Sequence, residues 1–230
     1  MGSLDTAGVA GLFAHRSRAA MIDVLLDGHE HAVGALARAA GVAASTATGH
    51  VSRLEEGGVV LVRRDGRERL VRLAGPTVAA AYEALSELSE EAKPNSLRSS
   101  TRREQLRAAR TCYDHLAGRL GVAIADAALA AGAVEPDFSL GPAARVWFGG
   151  LGVDLDALPR GSRPLVRVCT DWTERREHLA GALGAAICSA VLGAGWVLRQ
   201  PSSRALLLTS HGGVELGSLG ISISDTCPVA

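Results

Sequence analysis

The sequence predicts a mainly α-helical protein with short β-hairpins, organised as an N-terminal module over residues 1–92 and a C-terminal α-rich domain made of a tandem internal repeat. Three observations carry this expectation. Residues 4–74 hold several short segments whose apolar positions recur at helical period. An Asp-Gly pair sits inside a β-branched run at 59–73. Two stretches of the second half align with each other without a gap.

In chain order, Val9, Leu12 and Phe13 share one helical face, and Ile22, Leu25 and Leu26 share the next. Val33, Leu36, Ala37 and Ala40 form a third face, and Ala47, Val51 and Leu54 a fourth, with "AGV" at 40–42 as the tight break between them. Gly57-Gly58 ends the fourth segment. "VVLVRRDGRERLVRL" then reads as two strands around Asp65-Gly66. Helix, helix, helix–turn–helix and hairpin is the order of a winged helix, a DNA-binding arrangement. "PTVAAAYEALSELSEEA" (76–92) opens with Pro at a helix start and aligns Val78, Tyr82, Leu85 and Leu88. "KPNSLRSST" (93–101) is polar, with Pro and Ser, and reads as a linker.

Beyond residue 102 the composition turns to Ala, Gly and Leu. "HLAGRLGVAIADAALAAGAV" (115–134) matches "HLAGALGAAICSAVLGAGWV" (178–197) at about 13 of the 20 positions, more than shared alanine content gives. The match resumes between 140–153 and 208–221. Two units, about 110–153 and 167–221, are expected, each a long helix, a short strand or hairpin and a second helix, related by a pseudo-twofold axis.

Composition narrows the function classes. An apolar content of 47% supports a core. The 24 basic and 24 acidic residues cancel, so a nucleic-acid partner must be argued from local charge. No secretory leader or membrane-spanning run is legible, and four irregularly spaced cysteines form no disulfide framework; a cytoplasmic, reduced protein is expected. Neither a Gly-rich phosphate loop nor a Gly-x-Ser-x-Gly elbow is present, so no catalytic residue is assigned and no enzyme is expected.

The fourth helix supplies the functional signal. With Ala47, Val51 and Leu54 turned inward, the opposite stripe carries Ala44, Ser45, Thr48, Gly49 and Ser52. Side chains this short let a helix enter a major groove, their hydroxyls can bond phosphates or base edges, and His50 and Arg53 can reach the backbone. Arg63, Arg64, Arg67 and Arg69 make the hairpin tip locally positive.

"LFAHRSRAAMIDVLL" (12–26) and "VGALARAAGVAASTATGHVSRLEEGGVVLVRRDGRERLVRL" (33–73) resemble the ArsR-type winged-helix transcriptional regulators over roughly residues 8–92. The resemblance implies a homodimer formed by the first and last helices of the module, about 5–15 and 76–92, on a palindromic double-stranded DNA operator, usually repressing. It implies DNA-reading roles for Ser45, Thr46, Thr48 and His50, and phosphate or minor-groove roles for the wing arginines. Where such proteins usually start the recognition helix with a Ser cap and then Gln, this chain has Ala43 and Ala44, and a position that is often Arg is Gly49. A missing cap costs about 1 kcal/mol.

The family's familiar metal sites are absent: the cysteine-bearing segment falls on "EHAVGA" (30–35), and 76–92 contains neither His nor Asp. No cofactor and no metal ligand is therefore assigned. The C-terminal repeat offers weaker candidates. Cys112 and His115 are spaced i, i+3 for one helical face, and Cys169, Asp171 and His178 follow in the second unit. These residues converge on a soft ion if the pseudo-symmetric helices cross there. The competing account makes the imidazoles structural, bonded to backbone or to Asp114 and Asp171. Trp147 and Trp172, with Tyr113, Phe148 and Trp196, either frame a pocket for an organic effector or fill the core.

The leading expectation is a dimeric operator-binding repressor released by an effector acting through the C-terminal domain. The alternatives are a cysteine/histidine metal or thiol-redox sensor, and a winged-helix protein-interaction module fused to a ligand-binding domain.

Overall fold

The computed structural model describes residues 5–89, 97–159, 161, 163–200 and 203–222. It divides into two compact units, Met1–Leu85 and Ser86–Ala230.

In the first unit, α1 (Thr6–Phe13), α2 (Arg16–Leu25), α3 (Val33–Ala40) and α4 (Ala44–Glu56) surround a core of Met21, Ile22, Leu25, Leu36, Ala47, Val51 and Leu54. These are largely the positions the 3.6-residue period selects. Arg18 ties the end of α1 to α2, its Nε donating to Leu12 O and its Nη2 to Gly11 O, each at 2.7 Å. Gly41, left-handed at φ 65°, closes α3 and turns the chain into α4. Strands β1 (His31–Ala32), β2 (Val60–Asp65) and β3 (Glu68–Leu73) form an antiparallel sheet in the order β1-β3-β2. Asp65 pairs with Glu68, so Gly66-Arg67 is the two-residue loop, with Gly66 at φ 57° as such a turn requires. This is the expected winged helix, with α5 (Pro76–Glu87) following it.

In the second unit, the segment expected as a linker behaves differently. Residues 93–96 lie outside the described residues, but 97–101 open α6 (Leu97–Ala108). Leu97, Arg102, Arg103, Glu104 and Arg107 are strong helix formers that outweigh the Ser pair read as linker composition. Hairpin β4 (Arg110–Cys112) and β5 (His115–Ala117) leads into α7 (Gly118–Ala130). After a bridge between Val134 and Leu140 comes α8 (Ala144–Gly150). The second repeat runs through β6 (Arg167–Thr170), β7 (Glu177–Ala180), α9 (Gly181–Gly193), β8 (Val197–Arg199), β9 (Leu206–Leu208) and α10 (Ser210–Ser218).

Each repeat is therefore hairpin, helix, strand pairing, helix; the leading hairpin departs from the expected order. The repeats are interlocked: α7 packs on β7 and α9 on β5. Leu120, Ile124, Phe148, Leu183, Ile187, Val191, Trp147 and Trp196 share one core. Among the described residues no helix is long and apolar enough to cross a membrane.

Candidate DNA-binding face and a buried cysteine–histidine cluster

Helix α4 buries Ala47, Val51 and Leu54 and leaves Ser45, Thr46, Thr48, Gly49 and Arg53 exposed. The Thr48 hydroxyl donates to Ala44 O at 2.9 Å, so toward solvent it offers mainly acceptor capacity. Ala43, at the N-cap, makes no side-chain capping bond. His50 departs from the expected outward role. Its ring packs against His15 with centroids 4.5 Å apart, and its Nε2 is buried. Burial, then His15 and Arg18, hold its pKa below the ordinary imidazole value. His50 is an anchor of α4 rather than a free reader.

The wing arginines divide into two classes. Arg63 pairs with Glu30 at 2.8 Å and Asp65 at 3.2 Å, and Arg69 with Glu55 at 3.2 Å. Arg64 and Arg67 are exposed and, among the described residues, make no ion pair. Arg53, Arg64 and Arg67 are thus available to a polyanion, on the same helix as a stripe of short hydroxyl side chains or at the wing tip.

The second unit holds a different site. Cys112 and His115 are not on a helical face: they are direct partners across the β4–β5 hairpin, as Cys169 and His178 are across β6–β7. The interlocked packing brings both pairs together, and one ligand atom from each of the four residues lies within 4.8 Å of all the others. The sulfurs of Cys112 and Cys169 are 3.9 Å apart. The imidazoles stack with centroids 5.1 Å apart at 30°. His115 and His178 are 5% and 1% exposed, and His115 Nε2 and both ring nitrogens of His178 lack a hydrogen-bond partner.

Carboxylates stand behind the imidazoles. Asp114 Oδ1 lies 3.4 Å from His115 Nδ1, and Asp171 Oδ2 lies 3.8 Å from His178 Nδ1. Arg163 fixes Asp114 through contacts of 2.6 and 3.1 Å and donates to Gly181 O. Asp171 is held by Arg110 Nη2 at 2.9 Å, by Gly118 N–H at 2.6 Å, and by the backbone and hydroxyl of Thr173. Burial pushes both carboxyls up, but their partners outweigh it: Asp114 sits at about 2, and Asp171 is also held far below the carboxylate range. The Cys169 thiol is drawn well below its ordinary value, chiefly by Cys112 and then by the two imidazoles. Cys188, by contrast, is pushed up to about 12 by burial in the core.

The four residues thus converge, with Asp114 and Asp171 beside their imidazoles. The tryptophans do not join them. Trp147 is a core residue set edge-on to Phe148, and Trp172 lies under the Arg110 guanidinium at 4.9 Å. A cleft of about 740 Å³ near Leu140, Arg145, Leu155 and Arg163 has no tryptophan in its wall, whereas Trp172 lines a smaller one of about 410 Å³ with Arg107, Thr173 and Arg175. Arg110, Arg163, Gly121 and Gly184 carry no local sequence signal that marks them as part of this site. The doubled pattern Cys-x-Asp followed by His-Leu-Ala-Gly, at 112–118 and 169–181, was the available signal.

No protein-family model matches the chain. It is 35% identical over 211 residues to the HTH-type transcriptional regulator YdfF of Bacillus subtilis, covering 90% of this chain and 93% of that protein. It is 34% identical over 87 residues to the HTH-type transcriptional regulator Rv0324 of Mycobacterium tuberculosis, 38% of each chain. Among solved structures, it is similar to the homodimeric winged helix-turn-helix DNA-binding domain of Mb0332 from Mycobacterium bovis, described as a possible ArsR-family regulator. That match has 30% identity, covers 42% of this chain and 95% of that one, and has a TM-score of 0.35.

Proposed function

The chain belongs to the HTH-type transcriptional regulators, and from that premise we propose that it acts in the cytoplasm as an ArsR-type homodimer on a palindromic operator, repressing until an effector binds the C-terminal unit. DNA-binding regulation of transcription follows from the family. The mode of contact is our reading. The observation that carries it is the exposed stripe of Ser45, Thr46, Thr48 and Gly49 on α4, with Arg53 on the same helix and Arg64 and Arg67 at the wing making no ion pair among the described residues. Short hydroxyl side chains admit the helix to the major groove, and the wing guanidinium groups lie along phosphates.

The effector site is assigned to Cys112, His115, Cys169 and His178. Those residues join the two repeats, and a ligand there alters how the repeats sit on each other. The known relatives are regulators, and no catalytic role is assigned to this chain.

Fluorescence anisotropy with duplexes from the chain's own upstream region tests the DNA reading. Binding is expected to weaken linearly in log–log plots against salt as counterions are released, and to weaken again in Arg64→Ala/Arg67→Ala. Binding that ignores both salt and those substitutions overturns it.

A further inference from the structure

We infer that Cys112, His115, Cys169 and His178 bind a single divalent metal ion of the zinc class between the two repeats. The inference names the ligand of the effector site proposed above. Metal uptake is read without DNA, so failure of one reading leaves the other standing.

A tetrahedral ion with sulfur at about 2.3 Å and nitrogen at about 2.0 Å sets its sulfurs roughly 3.8 Å apart and the nitrogens somewhat closer. Here the sulfurs are 3.9 Å apart and the four ligand atoms lie within 4.8 Å of one another. That sulfur separation matches two sulfurs on a shared ion and is well beyond the about 2.05 Å of a disulfide. Two thiolates and two neutral imidazoles form a Cys₂His₂ donor set, which suits zinc and excludes calcium or magnesium, whose preferred donors are oxygens.

The polar groups demand a partner. The imidazoles of His115 and His178 are more than nine-tenths buried, yet His115 Nε2 and both nitrogens of His178 have no hydrogen-bond partner. A buried unsatisfied polar group is costly, and coordination supplies the missing interaction. Asp114 and Asp171 lie 3.4 and 3.8 Å from the Nδ1 atoms of His115 and His178, where carboxylates stand behind metal-bound histidines. Two thiolates also cancel the charge of the dication, so the loaded cluster is neutral in an interior that disfavours net charge. Any sulfur still protonated releases its proton to solvent on binding.

The fold is built to hold the histidines close. A Cβ added at Gly184 falls 3.2 Å from His115 Cβ, and one added at Gly121 falls 3.6 Å from His178 Cβ. Glycine at these equivalent places lets each repeat's helix approach the other's histidine. One hairpin alone supplies two ligands, so full coordination exists only while both repeats are engaged.

The test is a cobalt titration of the reduced, chelator-stripped full chain. One Co²⁺ per chain is expected, with a thiolate-to-cobalt charge-transfer band and intense tetrahedral ligand-field bands, all displaced by Zn²⁺. Cys169→Ser and Cys112→Ser should lose the charge-transfer intensity in part and weaken uptake more than about tenfold, while Cys188→Ala titrates as the parent does. Asp114→Asn, which removes no ligand, should weaken uptake by about 10–100-fold and covers the case in which a cysteine variant fails to fold. A reduced chain that takes up neither ion overturns the proposal. So does uptake unchanged in folded Cys112→Ser and Cys169→Ser, or a Cys112–Cys169 disulfide in protein that binds no metal after reduction.

Discussion

Gly184 lies against His115, and its pseudo-symmetric counterpart Gly121 lies against His178, so that each repeat contributes the space in which the other's imidazole sits. The stacked histidines are possible because a helix backbone, with no side chain interposed, passes beside each one.

That relationship fixes the sign of a substitution. Glycine to alanine inside a helix ordinarily stabilises by up to about 1 kcal/mol. At Gly184 the new methyl also runs into Leu179 O, and at Gly121 into Leu116 O. Both alanine variants should therefore be destabilised, by about 1–3 kcal/mol, with Gly184 the worse. Urea unfolding measures this, and a gain in stability at either position would show that the two helices do not approach as described.

The Arg110–Asp171 pair gives a second prediction. Both side chains are fully buried, and Asp171 also anchors Gly118 and Thr173. Asp171→Asn leaves a buried guanidinium without its counter-charge and should cost about 3–5 kcal/mol. The pH dependence follows from the depressed carboxyls of Asp171 and Asp114. In the unfolded chain these groups titrate near about 3.9. Their contribution is thus complete above that value and is lost as pH falls toward about 2, where Asp114 protonates in the fold. Denaturation followed from pH 7 to pH 2 should show a plateau and then an acid loss, smaller in Asp171→Asn.

How far sequence could go is clearest at Cys112 and His115. Their spacing of three satisfies a helical face and also a hairpin with a two-residue loop, Tyr113-Asp114. The latter is adopted here with Tyr113 at φ 63°, a conformation no glycine advertised. In the winged helix the apolar period and the Asp65-Gly66 signal are local, so α1 to α4 and the β2–β3 hairpin were legible. The cluster depends on β5 and β7 meeting through long-range packing, which no local pattern encodes. The repeat announced that two equivalent halves exist, and Cys-x-Asp recurred in each, but their mutual placement had to be seen. His50 differs from its expected role for a related reason: its contact is His15, the N-cap residue of α2 and distant in sequence.

At the wing, the arginines should not contribute equally to DNA binding. Arg64 and Arg67 carry no ion pair among the described residues, whereas Arg63 is shared between Glu30 and Asp65. Each of Arg64→Ala and Arg67→Ala should lower the log–log salt slope by about 0.9, the value for one phosphate left unneutralised. Arg63→Ala should change it less. Equal effects from all three would mean that the Glu30 pairing dissolves on the duplex.

The start of α4 offers a gain in stability. Ala43 has extended N-cap geometry, at φ −64° and ψ 152°, and no side chain able to accept from the first-turn N–H groups. Ser at this position has an oxygen within reach of the N–H of Ser45 or Thr46, and the backbone is already in the conformation a cap adopts. Ala43→Ser should therefore stabilise the N-terminal unit by about 0.5–2 kcal/mol, read as a higher thermal midpoint in the full chain. The same N–H groups lie at the positive end of the helix dipole, where a phosphate would bind. If the operator backbone uses them, Ala43→Ser will raise the melting temperature while weakening DNA binding. If binding is unchanged or improved as stability rises, the phosphate contacts of this face come from side chains alone.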